Sequence, residues 1–133
     1  MKLLELLEKI KEIALDLVDE CYIDSVRILN DRQCKYKNVV IDIESSEILD
    51  NGMVRHNLVL YYTDKMLNKE YPYKIYQDAQ EKLMKLLKKT DNIDGVLEID
   101  YPTIEYFQQD FNDVLAGGFV RVGIRVNSGI DGC

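Results

Sequence analysis

The chain has one histidine, two prolines and three cysteines in 133 residues, and each scarcity removes a class of function. Cys21, Cys34 and Cys133 are odd in number and widely spaced. With no CxxC pair and no histidine cluster beside them, they fit neither a disulfide framework nor a zinc site, so free thiols are expected. His56 sits between Arg55 and Asn57 in a stretch that reads as strand, which predicts a solvated imidazole. Ser45 and Ser46 could face it across a hairpin, yet no motif assigns it a nucleophile. Neither a Walker phosphate loop nor a GxGxxG entering a helix is present. No apolar run approaches the roughly 18 residues of a membrane span, and charges at Glu5, Glu8, Lys9, Lys11 and Glu12 break the amino-terminal segment as a signal peptide. The expectation is a protein kept in a cytoplasm-like compartment, with no catalytic residues, cofactor, metal or membrane partner.

Basic charge is also short. The formal charge of -7 and the pI near 4.7 oppose a phosphate backbone, whose binding rests on many Lys and Arg contacts. The densest basic group, Lys85, Lys88 and Lys89, falls at the end of an expected helix, where cations complement the helix dipole. Asp16, Asp19, Glu20 and Asp24 form an acidic run that lacks the spacing and central glycine of a calcium loop, and a solvated helix end accounts for it.

Apolar residues at 47% and charged residues at 31% describe one globular domain with a single core. Leu3, Leu4, Leu7, Ile10, Ala14, Leu17 and Val18 recur at helical steps, predicting an amphipathic helix over 2–19. A short strand is expected over 25–29. YKNVVIDIE, residues 36–44, alternates as a half-buried strand with Val39, Ile41 and Ile43 on one face. Asn51-Gly52 then marks a hairpin, with 53–63 returning and Leu58, Leu60 and Tyr62 alternating against Val59, Tyr61 and Thr63. The arms are long and polar over 44–55, so this hairpin is expected to project beyond its sheet and to be covered by a neighbouring subunit.

PYKIYQDAQEKLMKLLKK, residues 72–89, is the clearest helix, with Ile75, Tyr76, Ala79, Leu83, Leu86 and Leu87 in one stripe. Val96 to Asp100 and Thr103 to Phe107 read as extended on either side of Pro102, which interrupts the strand or places it at an edge. In DFNDVLAGGFVRVGIRV, Val120, Val122, Ile124 and Val126 share a strand face, and Gly117-Gly118 is read as a bend or bulge where that strand begins. The fold class is α+β: an antiparallel sheet with a long projecting hairpin, covered on one face by two amphipathic helices. Tyr61, Tyr62, Tyr71, Tyr73, Tyr76, Tyr101 and Tyr106 add a tyrosine content that leans toward assembly.

LVLYYTDKM, the helix YKIYQDAQEKLMKLLKK, and IEYFQQDFNDVLAGGFVRVGIRV, in that order, carry a resemblance. The chain resembles the small tail-terminator, tail-completion and neck-ring proteins of tailed bacteriophages, in the flavour of gut phages infecting Bacteroidetes, including the crAss-like group. The resemblance implies a non-enzymatic virion protein that forms a hexameric or dodecameric ring between portal and tail. Its partners would be itself and adjoining portal, neck or tail proteins, with DNA passing through the lumen. Glu44, Glu47, Asp50, Asn51, Gly52 and Arg55 of the hairpin, with Arg121 and Arg125 of the last strand, are the expected subunit-interface residues. The alternative is a small cytosolic adaptor or regulatory domain that binds a protein partner along a sheet edge.

Overall fold

The computed structural model describes residues 1–31, 33–66, 72–100, 102–110 and 114–129. Helix α1 (Leu3–Leu15) leads into β1 (Glu20–Ile23) and a 3-10 turn (Val26–Asn30). The hairpin strands β2 (Asn38–Ile48) and β3 (Met53–Lys65) follow, then α2 (Tyr73–Asp91), β4 (Val96–Ile99), β5 (Glu105–Asp110) and β6 (Val114–Asn127). The chain is thus α+β, and both helices pack on one face of a mostly antiparallel six-stranded sheet.

The order across the sheet is β1-β2-β3-β6-β4, and β5 also pairs with β6. Among the described residues only β1 runs parallel to its neighbour, and the 3-10 turn follows it on the way across to β2, as a parallel pair requires a crossover. The last strand is long enough to serve two partners on one edge. Its first half takes β5, from Asp110↔Val114 to Glu105↔Phe119, and its second half takes β4, from Ile99↔Ile124 to Val96↔Val126. Pro102 lies between β4 and β5, and with no N–H to give a ladder it stands where strand structure is interrupted.

At the hairpin turn Asn51 (φ 62°) and Gly52 (φ 73°) both take the left-handed conformation that a primed two-residue turn demands. The hairpin runs on past β1, so β2 from Asp42 to Ile48 has only β3 beside it among the described residues. The return arm is not bare, however. β6 accompanies β3 from Lys65↔Leu115 to Met53↔Asn127, so the polar turn end belongs to a multi-stranded sheet rather than to a free ribbon.

Strand alternation sorts the core. Val39, Ile41, Leu58, Leu60, Tyr62, Val120, Val122, Ile124 and Val126 meet Leu6, Leu7, Ile10 and Ala14 of α1 and Ala79, Leu83 and Leu86 of α2. On the opposite face a smaller cluster of Leu29, Val40 and Leu115 is covered by the crossover, with Val26, Ile28 and Tyr36 packed against it.

Several expectations change. The first helix ends at Leu15, and its stripe is rotated: Leu6 is buried while Leu4 is 63% exposed. Ile10 and Ala14 set the phase, and at 100° per residue they align with Leu3, Leu6 and Leu7 rather than Leu4. The strand expected over 25–29 is instead a 3-10 turn, because Ser25 caps it by accepting a hydrogen bond from the Arg27 N–H at 3.1 Å. The strand of this region is β1, which ends six residues earlier than expected and shows no clear alternation in exposure.

Gly117 and Gly118 mark no bulge. They lie inside β6, in unbroken register with Thr63 and Tyr62 on one side and Phe107 and Tyr106 on the other. A β-carbon at 117 would stand 1.8 Å from the Tyr62 carbonyl oxygen, and one at 118 would stand 3.2 Å from Cβ of Ala79. Close approach of the neighbouring strand and of α2, rather than a bend, is what requires small residues there.

Candidate assembly face

The sheet face away from the helices carries the polar members of the same alternation. Arg55 and Asn57 of β3 pair in register with Arg125 and Gly123 of β6, and Val59 with Arg121. Gly123 provides a slot: a β-carbon there would lie 2.3 to 2.6 Å from the Arg55 guanidinium, which crosses β6 at this point. Across that slot Arg55 reaches the carboxylate of Asp100, just beyond β4.

Neighbouring groups extend this pair into a belt. The Arg55 Nε–H donates to Asn57 Oδ1 at 3.4 Å, and Asn57 Nδ2 donates to Ser45 Oγ and Glu47 Oε1, each at 3.1 Å. Arg121 lies 3.5 Å from Glu44 and 3.8 Å from Glu105, and Arg125 lies 3.0 Å from Glu98. A shallow cavity of about 310 Å³ opens between Glu44, Glu47, Arg55, Asn57 and Arg121. These side chains are 38 to 64% exposed, so each pair contributes only about 0–1 kcal/mol and its main effect is to orient the charges. Toward the other end the face turns aromatic, with Tyr61 and Phe119 centred 5.5 Å apart and the Arg121 guanidinium 5.4 Å from the Phe119 ring.

Of the residues expected at a subunit interface, Glu44, Glu47, Arg55, Arg121 and Arg125 are gathered on this face. Their charges are met within the chain: Arg121 and Arg125 pair with glutamates of their own sheet. Asp50, Asn51 and Gly52 are apart from the belt, at the turn. There the Gly52 carbonyl accepts from both the N–H and the hydroxyl of Ser128, at 2.9 and 2.7 Å. Glu98, Asp100 and Glu105 were not expected. Their participation depends on β4 and β5 sharing β6, a long-range pairing that no local pattern encodes.

His56 is a correction. It is only 5% exposed, on the helix-covered face, and its Nδ1 lies 2.7 Å from Ser46 Oγ, the residue directly opposite in register. Its polar sequence neighbours Arg55 and Asn57 point to the other side of the strand, so they say nothing about its surroundings. Burial pushes the imidazole below its ordinary range and favours the neutral form, which can accept the Ser46 proton through Nδ1. No carboxylate holds this imidazole among the described residues, so the contact reads as satisfaction of a buried ring.

Cys21 and Cys34 are free, and burial pushes the Cys21 thiol up to about 12, which disfavours its thiolate. Cys133 lies outside the described residues, as do Tyr71 and Tyr101. Among the tyrosines that are described, Tyr62 is core, while Tyr76 and Tyr106 stack at 4.8 Å between α2 and β5. Asp24 accepts from the Ser25 N–H at 2.7 Å, and no group of three or more His, Cys, Asp or Glu is gathered as metal ligands among the described residues. No described helix is long and apolar enough to cross a membrane.

No protein-family model matches the chain, and a search of curated proteins finds no significant match.

Proposed function

We propose that this chain is a structural virion protein that forms a hexameric or dodecameric ring at the head-to-tail connection of a tailed phage, as a neck or tail-terminator protein. It acts by position rather than by chemistry. Its partners are its own copies and the adjoining portal, neck or tail proteins, and DNA passes through the lumen. It is located in the virion, and in the host cytoplasm during assembly.

The observation that carries this reading is the pair of open sheet edges. Among the described residues, β2 from Asp42 to Ile48 lacks an outer neighbour on one side, and β4 and β5 pair only with β6 on the other. Two unlike open edges on one sheet favour head-to-tail contacts, and such contacts close into rings when each step adds a rotation.

Electron microscopy of the purified protein, with solution mass measured over a wide concentration range, tests it. Closed rings of six or twelve copies are expected, alone or upon addition to tailless capsids. A single-chain mass throughout, together with no ring on the capsids, overturns the reading. A peptide bound along β2 by such a single chain would establish the adaptor role instead.

A further inference from the structure

The sheet carries an apolar knob at one edge and an apolar groove at the other. Ile48, the last residue of β2, is 92% exposed at the tip of the hairpin. Across the sheet, an open groove of about 800 Å³ lies between α2 and the edge beyond β6, lined by Met84, Leu87, Ile99, Pro102, Ile104 and Tyr106. Met84 is 58% exposed and Tyr106 44%, so this apolar lining faces solvent in the single chain.

Taking the ring reading above as given, we infer that the groove receives the hairpin tip of a second copy, with Ile48 as the inserted side chain. Three observations support that occupant. The tip lies at the β2 edge and the groove lies beyond β6 at the opposite one, with β3 and β6 between them. Strands spaced about 4.8 Å apart put the two out of each other's reach within a molecule but on facing sides of adjacent molecules. A knob and a separate matching groove define a head-to-tail contact, the kind that propagates around a ring.

Charge agrees with the same pairing. Asp50, two residues past Ile48 at the turn, has no basic partner within the chain among the described residues. Lys88 lines the groove, likewise without an acidic partner among the described residues, whereas Lys85 and Lys89 lie on other faces of α2. Of the acids that also line the groove, Asp100 is held by Arg55 and Asp91 closes α2.

The tip is also held in one shape before it binds. Leu49 N–H donates to the Met53 carbonyl at 2.9 Å, and Ser128 clamps the Gly52 carbonyl through two hydrogen bonds. An element already ordered loses less conformational freedom on docking than a free loop would.

The test uses the full chain carrying Ile48→Asp or Met84→Asp, both at exposed positions, and a third variant with Ile48→Cys and Met84→Cys together. Circular dichroism first verifies that each is folded as the wild type is. Sedimentation is expected to show each aspartate variant needing at least a tenfold higher concentration to assemble. Mild oxidation of the double-cysteine chain, made in a background with Cys34 and Cys133 replaced by serine and the buried Cys21 kept, is expected to give a reducible ladder of dimers, trimers and larger species, absent when the same background carries only one of the two introduced cysteines. Wild-type rings with both aspartate variants assembling normally would overturn the inference and leave the ring reading standing. A loss confined to Met84→Asp would assign the groove to another occupant and overturn it too. A wild type that neither assembles nor shows cross-linking in the double-cysteine form removes both readings.

Discussion

Tyr62 is the residue at which the core is least satisfied. Its ring is fully buried in the sheet's helix-covered face, and its hydroxyl has no hydrogen-bond partner among the described residues. Burial drives that hydroxyl's pKa upward, so it stays protonated at any physiological pH. A desolvated, unpaired hydroxyl costs about 1–3 kcal/mol, whereas the ring itself is well placed. Tyr62→Phe is therefore expected to raise the thermal midpoint by a few degrees, on the order expected for about 1 kcal/mol in a domain of this size. A loss of stability in urea or thermal unfolding would mean that the hydroxyl has a partner. His56 gives the opposite kind of prediction. Its folded pKa lies below the 6.5 of an ordinary histidine, so the unfolded chain binds the proton more readily. Its contribution is fully present above about pH 6.5 and is lost as pH falls from there toward the folded value. Asp64 has the contrary sign, since burial raises its carboxyl pKa and acid then favours the folded form. Comparing wild type with His56→Asn in urea titrations from pH 7.5 to 5 isolates the histidine: the variant's midpoint should fall less over that interval. An equal fall in both would show that the imidazole is solvated after all.

Elements meet most tightly where β6 carries glycine, and three glycines in that one strand answer to three different neighbours. At 117 an added methyl meets the backbone carbonyl of Tyr62, which cannot retreat without breaking β3 from β6. At 118 it meets Ala79 of α2 at 3.2 Å and the Glu105 carbonyl and Tyr106 ring of β5 at 3.3 Å, so both the helix and β5 must give by a few tenths of an ångström. At 123 it meets only the far end of the Arg55 side chain, which can swing away. Gly117→Ala is thus expected to cost several kcal/mol or prevent folding, Gly118→Ala roughly 1–3 kcal/mol as mild overpacking, and Gly123→Ala little stability at all. For Gly123→Ala the change should instead be the loss of the Arg55–Asp100 pair, seen as a coupling near zero in a double-mutant cycle made in that background. Any other ranking of the three unfolding midpoints contradicts this packing. The pattern of elements was largely open to reading from the chain. Period-two alternation at Leu58, Leu60 and Tyr62 and at Val120 to Val126, the Asn51-Gly52 turn and the stripe of α2 are local signals strong enough to survive tertiary context. β1 was hidden because four residues with no clear alternation carry no period. The role of Gly117-Gly118 was hidden because a glycine in a strand looks the same whether it bends the chain or admits a neighbour.

At the scale of the molecule, the belt and the groove differ from the fold in how far they could be read. Arg55 was picked out as part of the projecting hairpin and Arg121 and Arg125 as residues on the polar side of the last strand, but their partners Asp100, Glu105 and Glu98 belong to the end of β4, to β5 and to β4, which meet β6 only in three dimensions. The groove was invisible for the same reason, being a space between α2 and the edge beyond β6. Net charge, by contrast, is read straight from composition and bears on the proposed ring as a whole. Each copy brings -7, so a closed ring accumulates negative charge with every subunit added. The arginines of the belt do not offset this at close range, because acidic side chains of the same sheet already pair with them. Duplex DNA gains its affinity for proteins chiefly by neutralising phosphates with free Lys and Arg and releasing counterions. A ring of this chain should therefore leave DNA unbound even at about 50 mM salt, where such contacts are strongest. The check is a gel-shift or anisotropy titration of assembled rings with duplex DNA at that salt and at physiological salt. No retention in either buffer is expected, as a conduit that DNA must slide through requires. Salt-sensitive binding would instead locate a basic lining, with the unpaired Lys85, Lys88 and Lys89 of α2 as its first candidates. Lys88 would then face the lumen rather than a neighbour's hairpin tip, which would remove it from the docking contact along with the neutral-conduit picture.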